Sequence, residues 1–136
     1  MKSKITSVLY KLLWPVTLVM LCITPLTGKE TGKGEQLYLA HCGKCHGREG
    51  KGFLQLYPPL EKSHFLSDDI KQLPCIIRNG LKGELEINGK RFNGIMPPNQ
   101  RISPEEMIIL TSHLQKRWGT GETDLDIPLW LEQCPD

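Results

Sequence analysis

The run Cys42-Gly43-Lys44-Cys45-His46 sets two thiols three residues apart and an imidazole directly behind the second. Groups at that spacing have few uses. Two such thiols can add to the two vinyl groups along one edge of a haem. The imidazole then falls under the porphyrin face, where a ring nitrogen can bind iron, which is the C-x-x-C-H pattern of covalent c-type attachment. Gly43 leaves room for the macrocycle edge, and Gly47 lets the chain turn away from it. A zinc knuckle would need a second ligand pair at similar spacing, and a redox-active cysteine pair would sit in a βαβ pattern. The sequence offers neither, so the chain is expected to fold around one covalently bound haem c and its iron.

The surrounding composition suits a small exported domain. Lys2, Lys4 and Lys11, with no acid among them, precede the apolar run Leu12 to Leu26, which Pro15 and Pro25 interrupt. A spanning helix needs ~20 residues, so this shorter run reads as a signal-peptide core. Cleavage is expected near Thr27-Gly28, with an uncleaved membrane tether through residues 1–28 as the alternative. Bulky Leu21 argues against lipid attachment at Cys22. The leader holds three of the 17 basic residues and none of the 15 acidic ones, which leaves the mature chain at a net charge of −1. That balance makes nucleic acid an unsuitable partner. Residues 29–118 carry 14 basic and 10 acidic groups, whereas residues 119–136 carry five acids and no base. The expected organisation is a leader over 1–28, a monohaem domain over 29–118 and an acidic extension over 119–136. About 108 mature residues make a modest core, so folding is expected to depend on the haem.

Cys22 leaves with the leader and Cys42 and Cys45 go to the haem, so Cys75 and Cys134 remain. In a periplasmic or otherwise exported protein this pair suggests a disulfide. Closing the 58 residues between them would contribute ~4 kcal/mol in a chain-entropy account. Two separate free thiols are the alternative.

Local patterns divide the mature chain into elements. Gly34 to His41 reads as a short helix delivering the haem motif, with Leu37 and Tyr38 facing inward against the last helix. Ser67-Asp68-Asp69 supplies a helix N-cap, and the segment through Ile70, Leu73, Ile76 and Ile77 ends at Asn79-Gly80. Pro74 predicts either a kink or two short pieces, the second starting there. Glu84 to Phe92 alternates around Asn88-Gly89, a strong hairpin signal. Ser103-Pro104-Glu105-Glu106 combines an N-cap, a proline at the first helical position and a capping-box glutamate. Met107, Leu110, Leu114 and Trp118 continue that helix to Gly119. The remaining tail, Ile127 to Leu131, is expected to lie extended over apolar surface.

Opposite His46 the iron needs a second ligand or an open position. Met96 is the prime candidate, 50 residues on in Asn93-Gly94-Ile95-Met96-Pro97-Pro98, read as a stiff loop. Met107 falls on the apolar stripe of the last helix. His41 is too near the attachment site to reach the far face, and His64 and His113 read as surface or packing residues.

With these parts in order, the sequence resembles the class I bacterial c-type cytochromes, monohaem proteins with histidine and methionine ligands. The likeness runs from Gly34 to Trp118 through Tyr38, Cys42-x-x-Cys45-His46-Gly47, Pro58-x-Leu60, the helix ending at Gly80, Met96-Pro97 and the last helix. It implies an all-α cytochrome c fold whose helices wrap the haem, here with a small β-hairpin before the methionine. It also implies that the Pro58 carbonyl accepts the imidazole N–H of His46, fixing the ring. Cys75, the hairpin and the tail with Cys134 depart from the family pattern.

His46 and Met96 would fill both axial positions, leaving substrates and oxygen no ready place to bind, and the thioether would favour ferrous iron. One-electron transfer between redox partners outside the cytoplasm is therefore the expected function. A haem-relay subunit of a larger oxidoreductase is a second reading. A haem enzyme or gas-binding protein with an open iron site is a third. Lys44, Arg48, Lys51, Lys90, Arg91 and Arg101 could form a basic rim that steers acidic partners.

Overall fold

The computed structural model describes residues 32–120 and 126–135. The expected leader lies outside the described residues. Helix α1 (Lys33–His41) buries Gly34, Leu37 and Tyr38. It packs on the long helix α4 (Pro104–Trp118). The approach is close because Gly34 has no side chain: a Cβ there would stand 2.5 Å from the Cβ of His113. Beside that crossing, the Tyr38 ring lies 4.9 Å from Trp118 and 6.3 Å from His113, centroid to centroid. Helix α4 starts as its sequence dictates. The Ser103 hydroxyl accepts from Glu106 N–H at 3.2 Å, and the Glu106 carboxylate accepts from Ser103 N–H at 3.2 Å. Its Met107, Leu110, Thr111 and Leu114 are buried.

Between them, the one-turn helix α2 (Gly43–His46) follows α1 after a break at Cys42. A loop then leads to two 3-10 turns, His64–Leu66 and Ile70–Gln72, and to helix α3 (Leu73–Asn79). The break into two pieces at Pro74 is one of the two forms read from the sequence. The cap expected from Ser67-Asp68-Asp69 is not made. Pro74 lacks the N–H that an α-helix through it would use, but it fits a first turn. The α-helix therefore begins at Leu73, and the chain before it winds as a 3-10 turn.

The hairpin pairs β1 (Leu81–Ile87) with β2 (Lys90–Met96), from Ile87↔Lys90 at the turn to Leu81↔Met96 at the open end. Asn88 and Gly89 have φ of 54° and 72°, the two positive values that a two-residue type I′ turn requires. Ile87 and Phe92 are buried and hold the ribbon on the body. The ribbon is longer than expected. Asn93 to Met96, read as loop, belong to β2, and the stiff loop begins at Pro97.

The C-terminal segment also departs from expectation. It forms helix α5 (Ile127–Glu132), with Asp126 accepting from Leu129 N–H at 3.2 Å and Pro128 in the first turn. Ile127, Trp130 and Leu131, one face at helical spacing, are buried against the core cluster. Cys75 on α3 and Cys134 stand with sulfurs 2.07 Å and Cα atoms 5.2 Å apart. The Asn79 amide adds a hydrogen bond to the Pro135 carbonyl at 2.7 Å. No helix among the described residues is long and apolar enough to cross a membrane.

Candidate haem-binding cleft

Cys42, Cys45, His46, Pro58 and Met96, the five site residues read from the sequence, line one cleft of about 450 Å³. That volume falls in the range of small-molecule and cofactor sites. The backbone explains the first three. Cys42 ends α1, its N–H reaching Tyr38 O at 2.8 Å, and its own carbonyl accepts from His46 N–H at 2.9 Å. One tight turn therefore presents both thiols and the imidazole to the same space. Both cysteines are free and half-buried. Burial, and then the neighbouring Cys45, push the Cys42 thiol up to about 11, so it stays protonated near neutral pH.

His46 Nδ1 lies 2.9 Å from the Pro58 carbonyl oxygen. A carbonyl only accepts, so Nδ1 donates and Nε2 is left bare as a metal donor. Burial lowers the imidazole below its usual pKa, with the Pro58 bond opposing, so the neutral ligating form is favoured. The Tyr38 hydroxyl donates to the carbonyl of Gly47, the residue after His46, and bolts this turn to α1.

Met96 reaches the cleft from the last position of β2, half-buried. Gly80, with φ of 78°, lies directly beneath it. A Cβ at Gly80 would overlap the Met96 carbonyl oxygen and stand 2.9 Å from Pro98 N. Ile76 and Ile77 of α3, Leu60, Leu66, Ile87 and Phe92 complete a largely apolar lining. This donor set fits a haem: two thiols for its vinyl edge, a bare imidazole nitrogen and a thioether for its iron, and apolar walls for its faces.

The other candidates fall elsewhere. Met107 is 1% exposed in the core. His64 sits 3.8 Å from Asp69, and His113 belongs to the aromatic cluster with Tyr38 and Trp118. His41 stands at the cleft rim, exposed to solvent. Cys75 and Cys134 lie outside the cleft. The sequence marked Gly80 as the helix stop it is but not as the floor beneath Met96, and it gave no sign of Asn99, which anchors the loop after Met96. The pair Pro97-Pro98, which supplies no N–H, was the available hint that an outside anchor is needed.

A family model described as Cytochrome c matches residues 32–118. Cytochrome c-552 of Thermus thermophilus is 30% identical over 94 residues, covering 65% of this chain and 70% of that protein. A second Thermus thermophilus cytochrome c-552 shows the same identity over 62% of its own length. The cytochrome c subunit of a quinone alcohol dehydrogenase from Gluconobacter oxydans is 24% identical over 108 residues, 69% of this chain and 20% of that subunit. Matched from the residue before α1 to the last residue of α4, with its thiols, imidazole and thioether along one cleft, this chain belongs to the cytochrome c family.

Proposed function

We propose that this protein carries single electrons between redox partners outside the cytoplasm, using one haem c that Cys42 and Cys45 would hold and whose iron His46 and Met96 would bind. When bound, the haem supplies an iron that gains and loses one electron. The chain's residues make that exchange clean. The Pro58 carbonyl accepts from Nδ1 of His46 and so holds Nε2, the nitrogen that would bind the iron, in one orientation. Met96, fixed by strand pairing to Leu81, offers a soft donor that favours the ferrous state. The apolar lining excludes water and disfavours the extra charge of the ferric state. The observation that carries this reading is the shared cleft: both axial donors and both attaching thiols border one apolar space.

Lys44, Arg48, Lys51, Lys90, Arg91 and Arg101 are exposed. Arg101 borders the cleft, which supports a basic rim whose attraction for acidic partners weakens with salt. The leader and the Cys75–Cys134 bond fit a periplasmic protein, oxidised in place after export.

A haem-relay role within a larger oxidoreductase is favoured by one separate feature. Helix α5 and the Cys75–Cys134 link add a pinned cap beyond the matched domain, and one relative is a dehydrogenase cytochrome subunit. Copurification with a large dehydrogenase at fixed stoichiometry supports that role.

Carbon monoxide addition to the reduced holoprotein tests the closed site. Binding should be slow and incomplete. Rapid, full binding would show an open iron and favour a gas-binding protein or an enzyme.

A further inference from the structure

Beyond Met96 the chain has an anchoring problem. Pro97 and Pro98 carry no N–H, so the first residue able to donate a backbone hydrogen bond after the methionine is Asn99. Its N–H reaches the carbonyl of buried Ile77 on α3 at 3.0 Å. Its side-chain oxygen accepts from Arg101 N–H at 3.2 Å. That second bond orients the amide, so its NH2 faces outward, 3.1 Å from Nδ1 of His41. An amide NH2 only donates, so Nδ1 accepts and the ring proton resides on Nε2. His41 is the last residue of α1, directly before Cys42. One side-chain contact thus spans the mouth of the cleft. It joins the wall that carries the thiols and His46 to the wall that carries Met96.

We infer that the His41–Asn99 hydrogen bond is a clasp that holds the Met96 sulfur over the cleft. This rests on the reading of Met96 as the second axial ligand. His41 and Asn99 act through Met96, which makes them positioning residues. Upstream, strand pairing with Leu81 fixes the approach of the methionine. Downstream, the prolines stiffen the loop without tying it to the opposite wall, and the clasp supplies that tie. A thioether is a weak donor, so the freedom of its loop governs how easily another ligand displaces it.

The test is imidazole titration of the oxidised holoprotein, followed by loss of the far-red sulfur–iron absorption band. His41→Ala, which deletes the clasp alone, should bind imidazole about fivefold more tightly than wild type, the effect of one ordinary hydrogen bond. Asn99→Ala, which also deletes the bond accepted from Arg101 N–H, should bind it at least as tightly as His41→Ala does. His41→Asn, which keeps an acceptor oxygen near the place of Nδ1, should restore the wild-type affinity. His41 is exposed and Asn99 half-buried, and neither belongs to the core, so these replacements leave the core intact. Wild-type affinity in both alanine variants overturns the clasp. So does tighter binding in His41→Ala that His41→Asn fails to reverse, which would assign the effect to lost packing. A wild-type protein with no far-red band removes Met96 as ligand and the clasp with it, a failure visible before any variant is made.

Discussion

Gly80 offers a way to push on Met96 without touching its side chain. The residue ends α3, donating to Ile76 O at 2.9 Å, and has φ of 78°. Alanine there suffers twice. With φ of 78° and ψ of −177° the backbone lies in a region essentially confined to glycine, which costs another residue ~1–3 kcal/mol. The new methyl would also overlap the Met96 carbonyl oxygen and stand 2.9 Å from Pro98 N and 3.1 Å from Pro97 C. All three are backbone atoms that cannot rotate aside, and overpacking of this kind costs ~1–3 kcal/mol. Gly89 isolates the cost of a positive φ, because its φ is 72° but a Cβ there would meet nothing within 4 Å. Gly89→Ala should therefore lose ~1–2 kcal/mol and keep an unaltered sulfur–iron band. Gly80→Ala should lose ~2–6 kcal/mol and weaken that band, since relief of the overlap moves the methionine. Denaturant unfolding of both holoproteins, with absorption spectra of the oxidised forms, makes the comparison. Equal losses with identical bands would refute the idea that Met96 is wedged against α3.

Three further outcomes follow from the same geometry. Tyr38→Phe deletes the bond to the Gly47 carbonyl, which keeps its bond from Gly50 N–H at 3.2 Å. The cost in denaturant unfolding should be ~1 kcal/mol, with no pH dependence near neutrality because burial raises the Tyr38 phenol to about 12. His113 has a buried Nε2 with no hydrogen-bond partner, and burial, then Arg117, lower its pKa. A lowered folded value means stability is complete above the unfolded value near 6.5 and falls as pH drops below it. The thermal midpoint should thus decline between pH 7 and pH 5.5 more steeply in wild type than in His113→Phe, and equal slopes would contradict this. Replacing Cys75 and Cys134 together by serine should cost ~4 kcal/mol by the chain-entropy account, while thiol counting on denatured wild-type protein should find neither residue free.

What the sequence revealed was what short-range chemistry controls. The Ser103–Glu106 capping box and the Asn88-Gly89 turn carry their structural instructions within four residues and each forms as read, while Cys42 to His46 stand together in one tight turn. Ser67-Asp68-Asp69 carried an equally local signal and lost, because Pro74 seven residues on decides where α-helical bonding can begin. Helix α5 was not legible. Six residues are too few to be helical alone, and its order comes from packing on α3 and α4 and the link to Cys75. The site divides the same way. Cys42, Cys45, His46 and Met96, which border one cleft, were readable as residue types at a spacing. The parts that aim the methionine were not, because Gly80 and Asn99 matter only through neighbours that the fold supplies, Met96 O for one and His41 for the other.

The most direct measurement replaces the proposed sulfur donor. The oxidised and reduced spectra and the midpoint potential of Met96→Ala holoprotein should be compared with those of wild type. The account requires the far-red band to vanish, the midpoint potential to fall and carbon monoxide to bind the reduced variant readily. A variant with the wild-type band and potential would show that another group, or none, sits opposite His46.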